Sequence, residues 1–287
     1  MKAQVTFTPN EAKYLIARGI ASLDRVRRAY ESGILALHPS SSTYFITKAL
    51  TGSFFEGTGV WVTGCVLPRG LCISKSYGAS DGAGKESLKD PKQYSHTMVY
   101  IKGVPTAGVT IDELSKMMQP NDIYIKGVNA LDVDGNVGVI LGSQSEGSIG
   151  IMTRCAREKH YEIIAPVGYE KLIPGKVTDA AEMTKGVKDY AMGVKCALVP
   201  IQATAFTEVD ALRTLTGVEA RVYSCGGLQG AEGSVSIALS GEDEQIARTI
   251  ELCESVKGVE VPPIPTENCA ECKTATCFLS GKNALWV

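Results

Sequence analysis

Short apolar runs alternate with amphipathic stretches over the first half of the chain, and this alternation limits the folds open to it. Residues 11–31 place Leu15, Leu23, Val26 and Tyr30 near helical spacing, with Arg25, Arg27 and Arg28 largely outside, which predicts one or two helices. Gly33 ends that pattern, and Ile34–Leu37 is a short buried-strand candidate. The polar loop His38–Ser42 follows, then a helix from about Thr43 to Leu50. Further strands are expected at Thr97–Ile101, Ile123–Lys126, Val137–Leu141 and Tyr161–Ala165, with a helix at about Ser148–Lys159. Thr110-x-x-Glu113 fits a capping box and starts one more helix. Strands separated by helices build a mostly parallel sheet with helices on its faces, so the expected class is α/β.

Other segments break this rhythm. Gly57–Ser76 reads as a hairpin turning at Pro68-Arg69-Gly70, and residues 78–95 form a Gly-rich polar stretch suited to a lid. A second unit, from roughly 190 to 258, reads β-α-β-β-α, with strands at Lys195–Ile201, Val218–Ser224 and Ser234–Leu239. That order predicts a smaller, ferredoxin-like α+β domain. The expected boundaries are 1–180 for the α/β domain, 190–260 for the α+β domain and 261–287 for a Cys-rich tail.

Composition narrows the function. With 29 Lys plus Arg against 31 Asp plus Glu, the formal charge is −2, which offers no footprint for nucleic acid or an anionic membrane. No apolar run approaches the ~20 residues of a membrane span. The first ten residues lack the charged and apolar regions of a signal peptide, so a cytoplasmic location is expected. The expected partners are a small anionic metabolite and further copies of this chain.

Two loops each follow a strand and precede a helix, where unpaired N–H groups and the helix dipole attract anions. In Pro39-Ser40-Ser41-Ser42-Thr43, the hydroxyls either cap the helix, through Ser42 or Thr43, or join an anion site. Gly142-Ser143-Gln144-Ser145-Glu146-Gly147-Ser148 has the same placement. If both strands lie in one parallel sheet, both loops open at its carboxyl-end edge. The segment at 78–87 is no P-loop, because Lys85 is followed by Glu86 and not by Ser or Thr.

Between these loops runs Gly127-Val128-Asn129-Ala130-Leu131-Asp132-Val133-Asp134-Gly135. Lys126 and Asn129 sit at a strand end where side chains meet a ligand, and Asp134-Gly135 signals a hairpin. His38 and Asp132 are the candidate proton carriers, and Glu146 is a candidate nucleophile or cap.

With these residues placed, the segment SGILALHPSSSTYFITKAL resembles the first phosphate loop of the sugar-phosphate isomerase / CoA-transferase superfamily, the NagB/RpiA fold. The stretch from Asp122 to Pro174 is similar to a region of translation-initiation-factor regulatory subunits and methylthioribose-phosphate isomerases. It also resembles the lactate-utilisation proteins, which continue into a segment like Val167–Ile173. The resemblance covers about residues 20–175 and implies a Rossmann-like sheet of that type. Together with the placement of the two loops and the strand end, it leads to expected ligand contacts from Ser40, Ser41, Ser42, Thr43, Lys126, Asn129, Gly142, Ser143, Ser145, Gly147 and Ser148. One departure matters: the isomerases place a proton-transferring Asp where this chain has Asn129, and an amide is no base near neutral pH. The readings that follow are an isomerase- or transferase-like enzyme, a non-catalytic metabolite sensor, or a redox-associated metal protein.

Nine cysteines are present, and Cys269-x2-Cys272-x4-Cys277 groups three of them in the tail. Such spacing suits zinc or an iron–sulfur cluster, with a fourth ligand from elsewhere, Cys225 being one candidate. Otherwise the three thiols pack as reduced side chains.

Overall fold

The computed structural model describes residues 1–53, 60–78, 97–142, 147–186, 188–264 and 268–282. The lid expected at 78–95 lies, apart from Gly78, outside them. The chain begins with β1 (Lys2–Phe7), α1 (Pro9–Ser22), α2 (Asp24–Ser32), β2 (Ile34–His38) and α3 (Ser41–Thr51). The hairpin β3 (Val60–Leu67) and β4 (Gly70–Gly78) follows, then β5 (Met98–Ile101), β6 (Val104–Thr106) and α4 (Ile111–Met117). Next come β7 (Ile123–Lys126), β8 (Ala130–Leu131), β9 (Val137–Leu141), α5 (Gly147–Lys159), β10 (Glu162–Pro166) and α6 (Val177–Met183). The last elements are β11 (Ala197–Ile201), β12 (Thr204–Phe206), α7 (Glu208–Thr216), β13 (Glu219–Cys225), β14 (Val235–Ser240) and α8 (Asp243–Glu254).

A six-stranded sheet, ordered β12-β10-β7-β2-β5-β6, forms the centre. Its first four strands are parallel, and β5 and β6 join antiparallel at one edge. All five residues of β2 are buried, as a strand covered on both faces requires. Alternation sends Leu35 and Leu37 into a core with α1, α3 and α7, and sends Ile34 and Ala36 into a second core with α4 and α5. Asp122 sets the register at the amino ends of the strands: its carboxylate accepts from Ile34 N (2.7 Å) and Gln119 N (2.7 Å). The structure is thus mixed α/β with a mostly parallel main sheet and smaller antiparallel ones.

The strand membership expected for the second unit is corrected. The strand at Lys195–Ile201 does not open the second unit, because β11 pairs antiparallel with β9 in a separate β11-β9-β8 sheet. The small sheet takes β1 as its third strand instead, in the order β1-β14-β13. Buried Phe7 and half-buried Val5 on β1 face the same core as Val235, Ile237 and Leu239 of β14. The α1 start docks there too, through a buried Glu11 that accepts from Lys257 Nζ (2.6 Å) and Gly258 N (3.0 Å). Burial pushes the Glu11 carboxyl up, but these bonds outweigh it and hold it below its ordinary value.

Candidate functional site

The carboxyl ends of β2 and β7 lie side by side, with His38 paired in register to Lys126. The loops that leave them form the floor of a cleft of about 410 Å³. Pro39–Ser42 and Lys126–Asn129 line this floor, and Trp61–Val66 of β3 builds one wall. Asn10 and Lys13 reach in from α1, Val139 and Ile140 from β9, and Lys171 from a short 3-10 turn at Tyr169–Lys171.

Ser40, not Ser42 or Thr43, is the N-cap of α3. Its hydroxyl accepts from Thr43 N (3.2 Å), its own N–H donates to Thr43 Oγ1 (2.8 Å), and that hydroxyl donates to His38 O (2.7 Å). These bonds anchor Thr43, which is buried and does not line the cleft. Gly127 is needed beside them, since a Cβ there would stand 2.7 Å from Ser40 Oγ. Ser40, Ser41 and Ser42 therefore bring the start of an 11-residue helix, with its dipole and unpaired N–H groups, to the cleft.

The electrostatics come from three lysines that line the cleft, Lys13, Lys126 and Lys171. Burial, helped by the charge of Lys171, pulls the Lys126 amine down to about 8. Burial and Lys171 likewise bring Lys13 to about 8, against an opposing pull from Glu170. Like charges gathered in a poorly solvated cleft repel one another, and an anion would relieve them. Trp61, only 1% exposed, also lines the cleft, and its indole N–H has no acceptor among the described residues.

Lys13 and Lys171 were not among the residues expected from sequence. A usable signal existed for Lys13, which borders the apolar stripe of α1 (Ala12, Leu15, Ile16) one turn from Asn10. Lys171 stands in a short 3-10 turn after β10, and nothing in its spacing points at the cleft.

The other expected residues are placed differently. Asn129 lines the cleft, and its Oδ1 accepts from Ile140 N (2.9 Å). His38 is 9% exposed and does not line it; its Nδ1 lies 3.2 Å from the Tyr124 hydroxyl and its Nε2 3.4 Å from Thr63 Oγ1. Gly142, Gly147 and Ser148 also fall outside the lining. The strand before them, β9, belongs to the antiparallel β11-β9-β8 sheet and not to the parallel one. Ser143, Ser145 and Glu146 lie outside the described residues.

Asp132 is buried away from the cleft, where its two oxygens accept from Asp134 N (3.0 Å), Asn136 N (2.9 Å), Asn136 Nδ2 (3.1 Å) and Val177 N (3.0 Å). Burial raises its carboxyl, but the bonds from Val177, Asn136 and Asp134 prevail and hold it below the ordinary value. These bonds lock the turn after β8 and the start of α6. Asp132→Ala is expected to lower unfolding stability by about 2–4 kcal/mol in urea titrations near neutral pH, because buried donors lose their acceptor. Since the native carboxyl is depressed, its contribution is present above the ordinary carboxylate pKa and disappears as pH falls through the lower native value. The gap between wild type and variant should close accordingly in acid.

The tail cysteines form a separate arrangement. Cys269, Cys272 and Cys277 line a small cavity of about 20 Å³ together with Cys72 of β4 and Arg69. Cys225 is absent from that cavity; it ends β13, exposed, where Glu208 and Glu170 act on it. As the side chains lie, no three His, Cys, Asp or Glu among the described residues already form a metal-holding group.

No described helix is long and apolar enough to cross a membrane. No family model matches the chain, and no curated protein matches it. Among solved structures, the 5-methylthioribose 1-phosphate isomerase from Pyrococcus horikoshii OT3 is similar, with 13% identity and a TM-score of 0.33. The match covers 72% of this chain and 58% of that one, so it spans less than two thirds of the isomerase's length and is too distant to assign a fold type or an activity.

Proposed function

We propose that the cleft binds a small anionic metabolite, of phosphorylated or acyl-carrier type, and that the protein acts on it as a metabolic enzyme of isomerase or transferase class. The observation that carries this reading is the convergence of Lys13, Lys126 and Lys171 on the amino end of α3. A phosphate or carboxylate there would accept from backbone N–H groups and serine hydroxyls while neutralising amines that repel one another. Asn129 would contact the bound molecule next to them. The sheet type of the sugar-phosphate isomerase and CoA-transferase superfamily belongs to the same reading, resting on the sequence resemblance.

A sensor without catalysis is the second reading, favoured by Asn129, whose amide has no basic group and whose Oδ1 is engaged by Ile140. Calorimetric titration with a panel of sugar phosphates, carboxylates and CoA esters tests the site. Binding of at least one phosphorylated or acyl-carrier compound, reduced in Lys171→Met, is expected. No heat with any anion of the panel would sink the reading. Turnover of a bound compound would exclude the sensor.

A further inference from the structure

Three segments meet at the small tail cavity, and backbone bonds already knit them. Leu71 N donates to Met192 O (3.3 Å) and Val194 N to Leu71 O (2.9 Å), joining the start of β4 to residues 192–194. Phe278 N donates to Gly193 O (3.0 Å) and Lys195 N to Thr276 O (3.1 Å), joining the tail to the same residues. Gly193 makes the approach feasible: its φ is +88°, and a Cβ there would stand 2.3 Å from Leu71 O. Within the tail, Cys272 N donates to Cys269 O (3.2 Å), Cys277 N to Thr274 O (3.1 Å) and Gly281 N to Cys269 O (2.8 Å). These turns bring Cys269, Cys272 and Cys277 onto one cavity, and the hairpin supplies Cys72 to it.

We propose that Cys72, Cys269, Cys272 and Cys277 hold one zinc ion, with Cys72 as the fourth ligand that sequence left unassigned. Cys269-x2-Cys272 across a tight turn is the usual half of a zinc knuckle, and two more thiols complete a tetrahedral set. As they lie the thiols do not yet form a metal-holding group, so binding requires them to close on the ion within the cavity they share. On binding, four S–H groups release their protons to solvent and four sulfur–zinc bonds form, with no change of oxidation state.

The cavity of about 20 Å³ has room for one water-sized sphere, which suits a single ion. Charge fits as well, because a tetrathiolate zinc centre carries a net −2 formal charge and Arg69, 6% exposed, lines the same cavity. The Thr274 hydroxyl, 3.3 Å from Cys272 Sγ, is placed to donate to that sulfur once its proton is gone. Energetics supply the need. Among the described residues from 261 to 282 only Leu279 is fully buried, so this segment has almost no apolar core of its own. A zinc ion would clamp it to the hairpin whose β3 strand walls the cleft.

The test is metal analysis of the full chain purified anaerobically without chelators, joined to alkylation mapping by mass spectrometry. About one zinc per chain is expected, without acid-labile sulfide. Cys72, Cys269, Cys272 and Cys277 should resist alkylation until a chelator strips the metal, while Cys225 reacts from the start. The zinc should be lost in Cys72→Ser and kept in Cys225→Ser. Mapping on the wild-type chain keeps the test valid even if Cys72→Ser misfolds. Iron with sulfide, no bound metal, or a Cys72 that alkylates as fast as Cys225 while zinc is bound would each overturn the assignment.

Discussion

Lys126→Met is expected to stabilise the ligand-free protein while weakening anion binding. In the unfolded chain the amine has its ordinary value of 10.5, and in the fold it is drawn to about 8. Below about pH 8 both states are charged and the fold bears the full cost of holding the cation; the cost fades as pH rises from 8 to 10.5 and is gone above that. At pH 7 the variant should therefore gain about 2–3 kcal/mol in urea denaturation, an advantage that vanishes above the unfolded value. Anion affinity should fall about 10- to 100-fold, the usual worth of one charge-assisted contact. Binding to the wild type should also take up protons near pH 8 and none near pH 6, because an anion restores the proton that burial removed. Calorimetry in buffers of different ionisation enthalpy reads this uptake. Equal affinity in variant and wild type would place the anion elsewhere.

Glu208→Gln is expected to have an effect of similar size, of electrostatic origin on the acidic side of the same region. Glu208 is fully buried at the start of α7, and its two oxygens lie 3.2 Å from Tyr169 N. Burial first, then the charge of Glu170, raises its carboxyl to about 8 despite those bonds. Glu170 itself has both oxygens buried without hydrogen-bond partners among the described residues, 3.9 Å from Lys171 at the nearer oxygen. Because the native value is raised, the contribution of Glu208 to stability is complete below the unfolded value of 4.5 and is lost as pH climbs to about 8. Gln keeps an acceptor for Tyr169 N and has no proton to lose. The variant should match the wild type near pH 4.5 and exceed it by about 2–4 kcal/mol at pH 8, with a flatter stability profile. A wild-type profile that is already flat would show that Glu208 ionises freely in the fold.

Much of the frame was legible because local chemistry decides it. The buried run Ile34–Leu37, the Thr110–Glu113 capping box and the Pro68-Arg69-Gly70 turn each select one conformation from a few neighbouring residues, and each is found in the structure. Strand partners were not legible. Lys195–Ile201 is as apolar as any strand of the second unit, and its own residues do not show that it pairs with β9 instead. β1 was missed because six residues of polar and apolar alternation carry little signal until β14 offers an edge.

The site divides the same way. Ser40 lies just after β2 and Lys126 ends β7, so both could be read from the apolar runs beside them. Lys13, Lys171 and Cys72 reach their places through helix packing, a turn and a hairpin, which no short spacing encodes. Asp132 illustrates the opposite error: an acid beside a strand end looked chemical, yet its oxygens are committed to backbone donors.

The pairing of β1 with β14 joins residues separated by more than two hundred positions, Phe7 with Val235 among them. On a ribosome adding about 5–20 residues per second, the first strand would wait roughly ten to fifty seconds for its partner. Through that interval Val5 and Phe7 would have no edge to cover them, and α1 would lack its contact with Lys257. The β1-β14-β13 sheet therefore cannot close until more than two hundred residues after β1 have been made, and such long-range pairing slows refolding. During that wait, β1 is the stretch on which a holding chaperone would act.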